Sequence, residues 1–446
     1  MIMAMIRPDT EMKESGIKWV GLMPVNWKTV RIKNLPNQEE NSFVDGDWIE
    51  SSYITDSGIR YYTTGNIGDG KFKEQGNGYI SENTFNELKC KYAFPGDLVL
   101  SRLNEPYGRS CIIPETEPKC IVAVDNVILR THEDKRYICY ITQCDGYHAE
   151  VGELARGTAM KRVSRTNLGT IRIPLPAKIE QQAIADYLDE TCSKIDEIIA
   201  EAKASIDEYK ELRLSVLTSA TTKGLSDVAK YKDSGSRWVD KIPSNWSKMK
   251  IHYIIDMPVI DGPHVSPELV GEGVDYISAN AIVDGKIDFS KRRGYITREY
   301  SNECRKRYSP QKNDILVVKL GASTGKMAMV GDYTDFDIWV PLAVVRCKKE
   351  VNAKYVYYSM SSKYFKDEIK DGWTFGTQET LGVKTLESLH VFLPSRVEQD
   401  EIVRYLDEQL PKYDSLIAEK ESLINDLEAY KKSLIFEVVT GKRRVV

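Results

Sequence analysis

The sequence has few of the residues that metal sites need and none of the segments that membrane insertion needs. Its 446 residues include only 5 His and 8 Cys, and no two Cys form a CxxC pair. Finger-like metal sites require Cys and His at close, regular spacing, so we expect no such site. No apolar run approaches the ~20 residues that cross a bilayer, and the first residues lack a secretory cleavage pattern. We therefore expect a cytoplasmic protein with reduced, mostly buried cysteines.

The sequence also lacks the motifs of common catalysts. HExxH, GxSxG and a GxGxxG preceding a helix are absent, as are the Asn-Pro-Pro-aromatic and Asp-Pro-Pro-Tyr stretches that amino-methyltransferases use to hold a base. The stretch GASTGKM at 321–327 lacks the four-residue spacing of a P-loop and has Met where magnesium binding needs Ser or Thr. We interpret this stretch as a tight hairpin turn. No catalytic residue, metal or cofactor is expected in this chain.

What the chain does contain is an internal repeat. The phrase SGIKWVGLMPVNWKTVRI begins at Ser15, and SGSRWVDKIPSNWSKMKI begins at Ser234, with two Trp, a Pro and an Asn at the same spacing. GDLVLSR recurs as NDILVVK at nearly the same offset, and LPAKIEQQAIADYLDE at 175–190 recurs as LPSRVEQDEIVRYLDE at 393–408. A nearly constant offset along the chain indicates a tandem duplication with insertions and deletions.

Each copy combines two kinds of pattern. After the opening phrase come short β-branched runs bounded by Gly, Pro, Asp and Asn, such as NVILR and DILVVKL, with helical pieces between them. The end of each copy is long, polar and helical. These patterns predict an α+β fold with two similar globular domains, residues 15–176 and 234–394, each followed by a helical region, residues 177–226 and 395–446.

The helical regions carry a heptad pattern. Steps of four and three residues join the members of one seam in each copy. These are Leu416, Lys420, Leu423, Leu427, Tyr430 and Leu434, aligned with Ile198, Ala202, Ser205, Tyr209, Leu212 and Val216. Two equal seams predict an antiparallel coiled coil with a pseudo-twofold repeat, which would separate the domains by roughly 40–45 Å. The alternative is a pair of amphipathic surface helices.

We expect both helical regions to be interrupted. Pro411 suits the first turn of a helix, so a short helix over about 396–408 should precede a long one over about 411–439. The first copy should break near Thr191–Ser193. The S-x-x-E sequence that begins at Ser395 predicts a capping box.

DNA is the partner that this organisation suits best. The net charge of −4 excludes a uniformly basic surface but leaves room for local basic patches. Two domains on stiff helices can engage two patches of a partner whose groove repeats every ~34–36 Å. Arg and Lys bind phosphates and Arg also reads guanine, although any one of them could be an ordinary solvated charge. The candidates are Arg102, Asn104, Tyr107, Arg109, Lys161, Arg162, Arg165, Lys291, Arg292, Arg293, Arg305, Lys306, Arg307, Lys319 and Lys326.

Two variable α+β units, each followed by LPxxxEQxxIxxYLDE and a heptad helix, resemble the specificity subunit of Type I restriction–modification enzymes. The resemblance covers nearly the whole chain. It implies a non-catalytic subunit whose two target recognition domains each read one half of a bipartite double-stranded DNA site. It also implies that the helices set the spacer and dock two methyltransferase subunits, which bring S-adenosylmethionine. A restriction–translocation subunit that uses ATP and magnesium would join them.

The resemblance also assigns residues. DGPHVSP at 261–267 and GTQ at 376–378 look like parts of the family's recognition domains, and the first copy shows no counterpart of DGPH near residues 45–51. The added DNA candidates are Asp261, His264, Thr377 and Gln378. The candidate subunit-docking residues at the helix starts are Glu180, Gln181, Tyr187, Leu188, Glu398, Gln399, Tyr405 and Leu406.

The repeated tryptophans are assigned to packing where each domain meets the helices, with partner contact as the alternative. They are Trp19, Trp27, Trp238 and Trp246. The sequence after the second helical region should then meet the N-terminal phrase in space. A two-headed DNA-binding or adaptor protein without restriction–modification partners is the competing function, followed by a coiled-coil adaptor that does not bind DNA and by a fused enzyme.

Overall fold

The protein is described by a computed structural model, whose chain divides into two compact units. Unit 1 comprises residues 1–202 and 422–446, and unit 2 comprises residues 203–421. The structure describes residues 5–76, 78–158, 160–226, 230–372 and 380–445.

Unit 1 is built on two sheets. A four-stranded antiparallel sheet has the strand order Phe43–Asp45, Asn126–Leu129, Leu98–Ser101, Ser110–Ile112. A three-stranded sheet has the order Cys120–Val122, Ile59–Tyr62, Tyr79–Ile80, with its first two strands parallel. Smaller strand pairs are Met5–Ile6 with Arg443–Arg444, Met12–Glu14 with Leu22–Pro24, and Lys28–Arg31 with Arg172–Leu175. The short helices are Glu82–Glu87, Lys135–Ile141, Asp145–Glu153 and Arg165–Thr170.

Unit 2 repeats this plan. Its four-stranded antiparallel sheet has the order Ile260–Asp261, Leu342–Val345, Ile315–Val318, Met327–Met329. Its three-stranded sheet has the order Phe336–Ile338, Val274–Ile277, Gly294–Ile296, again with the first two strands parallel. Smaller pairs are Tyr231–Asp233 with Lys241–Pro243, Ser247–Lys250 with His390–Leu393, and Ile282–Val283 with Lys286–Ile287. The short helices are Ile251–Ile254, Arg298–Arg305, Ala353–Ser361, Lys363–Asp371 and Val383–Ser388.

The two units have the same strand order and strand directions, which confirms the duplication and the α+β fold. The strands Leu98–Ser101 and Ile315–Val318 are interior strands of the two larger sheets, and all of their residues are buried. Burial on both faces explains why their sequences are continuously apolar rather than alternating. GASTGKM lies in the connection between the antiparallel strands Ile315–Val318 and Met327–Met329, with Gly321 and Gly325 at positive φ. The predicted hairpin is confirmed, but residues 319–326 form a longer loop than a tight turn.

The two long helices are continuous, so both predicted interruptions are wrong. The first long helix is Lys178–Lys223 and the second is Arg396–Val439. Pro411 lies inside the second helix, where it removes one backbone hydrogen bond at a cost of about 3 kcal/mol. Leu406 and Leu410, on the preceding turn, are buried in the core of unit 2, so packing holds the helix through the proline.

The start of the second long helix has half of the predicted capping box. The hydroxyl of Ser395 accepts a hydrogen bond from the Glu398 amide at 3.3 Å. The Glu398 carboxylate does not return to the Ser395 amide, because it accepts a hydrogen bond from the indole N–H of Trp246 at 2.9 Å instead.

The heptad pattern is real, but half of each predicted seam is displaced by one residue. Ala202 is buried and Tyr209 half-buried, as predicted, whereas the predicted Ile198 and Leu212 are 45% and 50% exposed. Their neighbour Ile199 is buried, and Arg213 is half-buried and paired with Asp414. The same displacement occurs in the second helix, where Ile424 is buried and Leu416, Leu423 and Tyr430 are exposed.

Ion pairs within each unit show how the helices run. In unit 1 the ammonium of Lys431 lies 2.6 Å from the carboxylate of Asp196. In unit 2 the guanidinium of Arg213 lies 2.7 Å from the carboxylate of Asp414. From Asp196 to Arg213 the first helix advances by 17 residues, while their partners on the second helix, Lys431 and Asp414, step back by 17. The two helices therefore run antiparallel, as predicted.

The chain after the second long helix meets the N-terminal phrase, as predicted. Met5–Ile6 pairs with Arg443–Arg444, and the ammonium of Lys442 donates to the carbonyl O of Val20 at 2.6 Å. Trp27 is 1% exposed and Trp246 is fully buried, which confirms packing roles for this tryptophan of each copy.

The first tryptophan of each copy is half-buried. Trp19 lies 6.5 Å from Phe436 between ring centroids, and Trp238 packs against the core of unit 2. These contacts also confirm packing roles.

Within the described residues, no helix is long and apolar enough to cross a bilayer. All eight cysteines are free, six of them buried, as predicted. Burial raises the pKa of the Cys111 and Cys120 thiols to about 12, which keeps them protonated.

Candidate nucleic-acid interface

An aspartate ends the edge strand of the larger sheet in each unit. Asp45 pairs in register with Val127, and Asp261 pairs with Ala343. We call Asp45 and Asp261 the hub aspartates, because each holds several cations.

The glycine after each hub aspartate makes a close backbone approach. A Cβ at Gly46 would collide with the carbonyl of Val122, and one at Gly262 would collide with the backbone of Ile338 and Trp339. The first copy therefore does have a counterpart of the Asp-Gly half of DGPH, and the sequence reading that found none was wrong. FVDG and VIDG, read as strand ends, are the signal that was missed.

In unit 2 two cations and one histidine surround the hub aspartate. The carboxylate of Asp261 lies 2.6 Å from Lys319 Nζ, 3.1 Å from Arg307 Nη2 and 3.3 Å from His264 Nε2. Burial alone would raise the pKa of Asp261, but the Lys319 hydrogen bond and the charges of Lys319, His264 and Arg307 lower it below its ordinary value. Lys319 is buried, whereas the side chains of Arg307 and His264 are 55% and 70% exposed.

In unit 1 the hub aspartate holds two arginines. Arg102 Nε lies 3.2 Å from Asp45, and Arg165 Nη1 lies 3.7 Å from it. Arg102 is buried and also donates to the carbonyls of Val124 and Val163. It occupies the place that Lys319 occupies in unit 2, so the sequence pairing of these two residues reflects one structural role.

Arg109 is buried and organises the loop before it. Its guanidinium donates to five backbone carbonyls at 2.7–3.3 Å. The carbonyls belong to Thr64, Ile67, Leu103, Asn104 and Pro106. Desolvation lowers the pKa of Arg109 from its ordinary value. Tyr107 is buried in the same loop, and Asn104 is exposed with φ +63°.

Most of the other basic candidates are bound by carboxylates of their own unit. Arg162 lies 3.4 Å from Asp125. In unit 2 the partners are Asp288 for Lys291, Asp275 for Arg292, Asp335 and Asp337 for Arg305, and Glu303 for Lys306. The Arg293 guanidinium instead stacks on Trp339, 3.3 Å from the ring centroid.

Two further basic candidates, Lys161 and Lys326, are exposed. Thr377 and Gln378 lie outside the described residues. No group of three His, Cys, Asp or Glu side chains that could hold a metal ion occurs in the part of the chain that the structure describes.

A family model described as the type I restriction modification DNA specificity domain matches residues 24–208 and again residues 243–429. The chain belongs to this family. Its two specificity domains are the two halves of the duplication.

Two relatives that align with about two thirds of the chain are named as type I restriction enzyme specificity subunits. The chain is 26% identical over 306 residues to the type I restriction enzyme EcoBI specificity subunit of Escherichia coli, an alignment of 67% of this chain and 64% of the relative. It is 24% identical over 296 residues, 65% of this chain and 66% of the relative, to the MjaVIII specificity subunit of Methanocaldococcus jannaschii. The chain thus spans slightly less than two thirds of these two relatives.

A longer alignment and a solved structure cover more of the chain. The EcoKI specificity subunit of Escherichia coli is 20% identical over 438 residues, 95% of this chain and 89% of the relative. A chain from a structure on complex assembly and conformational transition of the type I R-M system has a TM-score of 0.69 at 14% identity, covering 94% of this chain and 99% of that one. This likeness supports the fold.

In each specificity domain the EQ…YLDE sequence holds the domain to its own long helix. Gln181 is fully buried, accepting from the Asp134 amide at 3.0 Å and donating to the Pro176 carbonyl at 3.0 Å. Gln399 makes the same two bonds at 2.9 Å each, to the Asn352 amide and the Pro394 carbonyl. Asp134 and Asn352 cap equivalent short helices, so both glutamines fix a helix start.

The aspartate of YLDE continues this contact. Asp189 accepts from Tyr140 Oη at 2.7 Å and pairs with Arg136 at 2.8 Å. Asp407 accepts from Tyr358 and pairs with Lys354 at 2.7 Å. Leu188 and Leu406 are fully buried beside these aspartates.

The outward side of both helix starts is partly apolar. Ile179 is 79% exposed and Val397 69% exposed, at equivalent positions. Two turns further, Tyr187 is half-buried and Tyr405 is 37% exposed. Glu180 pairs with Arg7 at 3.3 Å, and Glu398 bonds Trp246. Of the eight docking candidates, Tyr405 is the one that is exposed, and Tyr187 at the equivalent position is half-buried.

Proposed function

We propose that this chain is the DNA specificity subunit of a type I restriction–modification complex. Each specificity domain reads one half of a bipartite site in double-stranded DNA. The observation that carries the proposal is the double match to the family of DNA specificity domains, on two halves whose sheets have the same topology. A duplicated reader suits a target with two separate specified parts.

The surface cations of each domain are the proposed phosphate and base contacts. Those with accessible side chains are Lys161, Arg162, Arg165, Lys291, Arg293, Lys306, Arg307 and Lys326, with His264 beside them. The carboxylates that hold several of these cations limit their motion before binding, which reduces the entropy lost on contact. Arg102, Arg109 and Lys319 are buried, and we assign them to shaping the loops that carry the contacts.

Two methyltransferase subunits are the proposed protein partners. The exposed apolar residues Ile179 and Val397, with Tyr187 and Tyr405 two turns further along their helices, offer two equivalent docking surfaces, as a pair of identical partners requires. A restriction–translocation subunit is proposed to join this assembly. S-adenosylmethionine, ATP and magnesium would belong to these partners, and this chain itself would be non-catalytic.

Reconstitution tests the function. The chain is co-expressed with a candidate type I adenine methyltransferase from the same genome, and transfer of labelled methyl groups to double-stranded DNA is measured. We expect transfer only when both proteins are present. Transfer by the chain alone would contradict the proposal, as would a methyltransferase that is equally active and sequence-selective without the chain.

The same experiment tests the docking surfaces. Ile179→Asp combined with Val397→Asp should abolish co-purification, because each places a charge in a buried apolar contact. Val25→Asp is the control, since Val25 is 53% exposed and lies outside the helices. Normal co-purification of the double variant would remove these positions from the docking surface.

A further inference from the structure

Trp48 and His264 occupy the same place in the two specificity domains. Each is the third residue after its hub aspartate, on the loop that leaves the edge strand of the larger sheet. The preceding glycines make the same close backbone approach, so the loops start in the same direction. Neither side chain has a packing role, because Trp48 is 67% exposed and the His264 side chain is 70% exposed.

The loop around Trp48 is firmly held although its side chain is exposed. The Asp47 amide donates to the Val122 carbonyl at 2.8 Å, and the Asp47 carboxylate accepts from the Lys91 amide at 2.7 Å. On the other side, Ile49 packs against a buried cluster. A rigid loop presenting a large aromatic side chain to solvent is typical of a binding position, since contact area is gained with little loss of freedom.

Cations lie close to both loops. Arg165 is bound to the hub aspartate Asp45 in unit 1, and Arg307 is bound to the hub aspartate Asp261 in unit 2. Such cations bind phosphates and fix the position of a duplex. The indole of Trp48 carries no charge, so it is suited to contact base edges rather than phosphates.

We infer that Trp48 determines specificity for one half-site and that His264 is its counterpart for the other. This inference rests on the proposed function and deepens it. The indole offers an apolar face and one N–H donor, so it suits a thymine methyl group or a wedge at a base step. The imidazole has one donor and one acceptor and suits a hydrogen-bonding base edge. The two half-sites are therefore read with different chemistry at equivalent positions.

The test maps methylated adenines at base resolution for complexes of the methyltransferase with wild-type, Trp48→Ala, Trp48→Phe and His264→Ala chains. Trp48→Ala should relax the sequence of one half-site and slow methylation of the original site at least tenfold, a cost of the size of one lost base contact. Trp48→Phe should keep most of the selectivity. His264→Ala should relax the other half-site only. Tyr253→Ala is the control, because Tyr253 is an exposed aromatic residue, 58% accessible, on a different element.

The outcomes separate the inference from the function. An unchanged motif and rate in Trp48→Ala overturn the inference while leaving the proposed function intact. Loss of methyltransferase co-purification in Trp48→Ala also overturns it, because the position would then contact protein. A wild-type complex that methylates no bipartite site overturns both.

Discussion

At the scale of residues, most of the basic DNA-binding candidates are held by carboxylates of their own unit. The pairs Asp45–Arg102 and Asp261–Lys319, each with a buried cation, lie at equivalent places and use different cations. Arg102 donates to two backbone carbonyls in addition to pairing with the carboxylate. These contacts use three separate nitrogens of the guanidinium, whereas lysine has only one nitrogen. The two copies therefore share an ion pair at this place, although the basic residue differs between them.

Asp261 predicts a pH-dependent contribution to stability. Its folded pKa lies below the ordinary value of 3.8, so its ionised form stabilises the fold above that pH and the contribution is lost as the pH falls through the folded pKa. We expect Asp261→Asn to be less stable than wild type at pH 7, with the difference shrinking below about pH 4. Denaturant unfolding across this range measures it, with the exposed Asp284→Asn as control. A difference that stays constant with pH would contradict this role.

Gln181 and Gln399 predict a matched pair of destabilising substitutions. Gln181→Ala or Gln399→Ala leaves a partly buried amide and a buried carbonyl without their side-chain partner, so each should cost about 1–3 kcal/mol of the free energy of unfolding. Gln182→Ala, at an exposed neighbouring position, should change it by less than about 0.5 kcal/mol. Denaturant unfolding of each variant provides the values. Equal stability of Gln181→Ala and Gln182→Ala would refute the anchoring role.

Sequence patterns indicated which residues are important, but not always whether they contact their own domain or a partner. The EQ and YLDE repeats marked Gln181 and Leu188, which lie in the buried contact between a domain and its helix. Their assignment to partner docking could not be separated from internal anchoring, because both uses favour polar and apolar residues at helical spacing. Trp48 was missed, since a single tryptophan shows no pattern until its exposure and its counterpart His264 are known.

At the scale of elements, the heptad phase shows what a sequence pattern leaves open. On the second long helix, Leu423 and Ile424 are both apolar and adjacent, and either could belong to a seam with Leu427. The observed seam includes the charged residues Lys431 and Arg213, so it is less apolar in sequence than the predicted one. In the structure their charges are paired with Asp196 and Asp414, respectively. The existence and direction of the helix pair were predictable, but its exact phase depended on these ion pairs.

Matched deletions in the long helices predict a shift in the target. Removing residues 205–211 and 416–422 takes out facing heptads and keeps the register of Asp196 with Lys431 and of Arg213 with Asp414. If the helices set the spacer, as the family resemblance implies, seven residues at 1.5 Å each should shorten it by about 10 Å, or about three base pairs. Methylation mapping of the deleted chain with its methyltransferase provides the spacer length.

The half-site sequences should stay the same in this variant. Deleting only residues 205–211 is the control and should disrupt the protein, because the ion pairs would no longer align. An unchanged spacer in the double deletion would contradict the idea that the length of the helices sets the length of the spacer.

At the scale of the whole molecule, duplication is the feature that explains most of the sequence. The Trp-Pro-Trp phrase occurs twice because each copy packs its second tryptophan at a junction between long helices. Gly224 and Gly441 end the two helices at positive φ, and their neighbours include Trp246 and Trp27 respectively. The fold and the family were therefore predictable from repeats alone. Which side chains remain accessible depended on ion pairs that sequence spacing does not encode.

The central claim is that two similar domains of one chain specify two separate parts of one DNA site. Base-resolution mapping of methylated adenines in cells that carry this chain with its methyltransferase tests it most directly. The account predicts one motif with two specified parts and an unspecified spacer of fixed length, which disappears when the chain is removed. A single continuous motif, or methylation that does not depend on the chain, would contradict it.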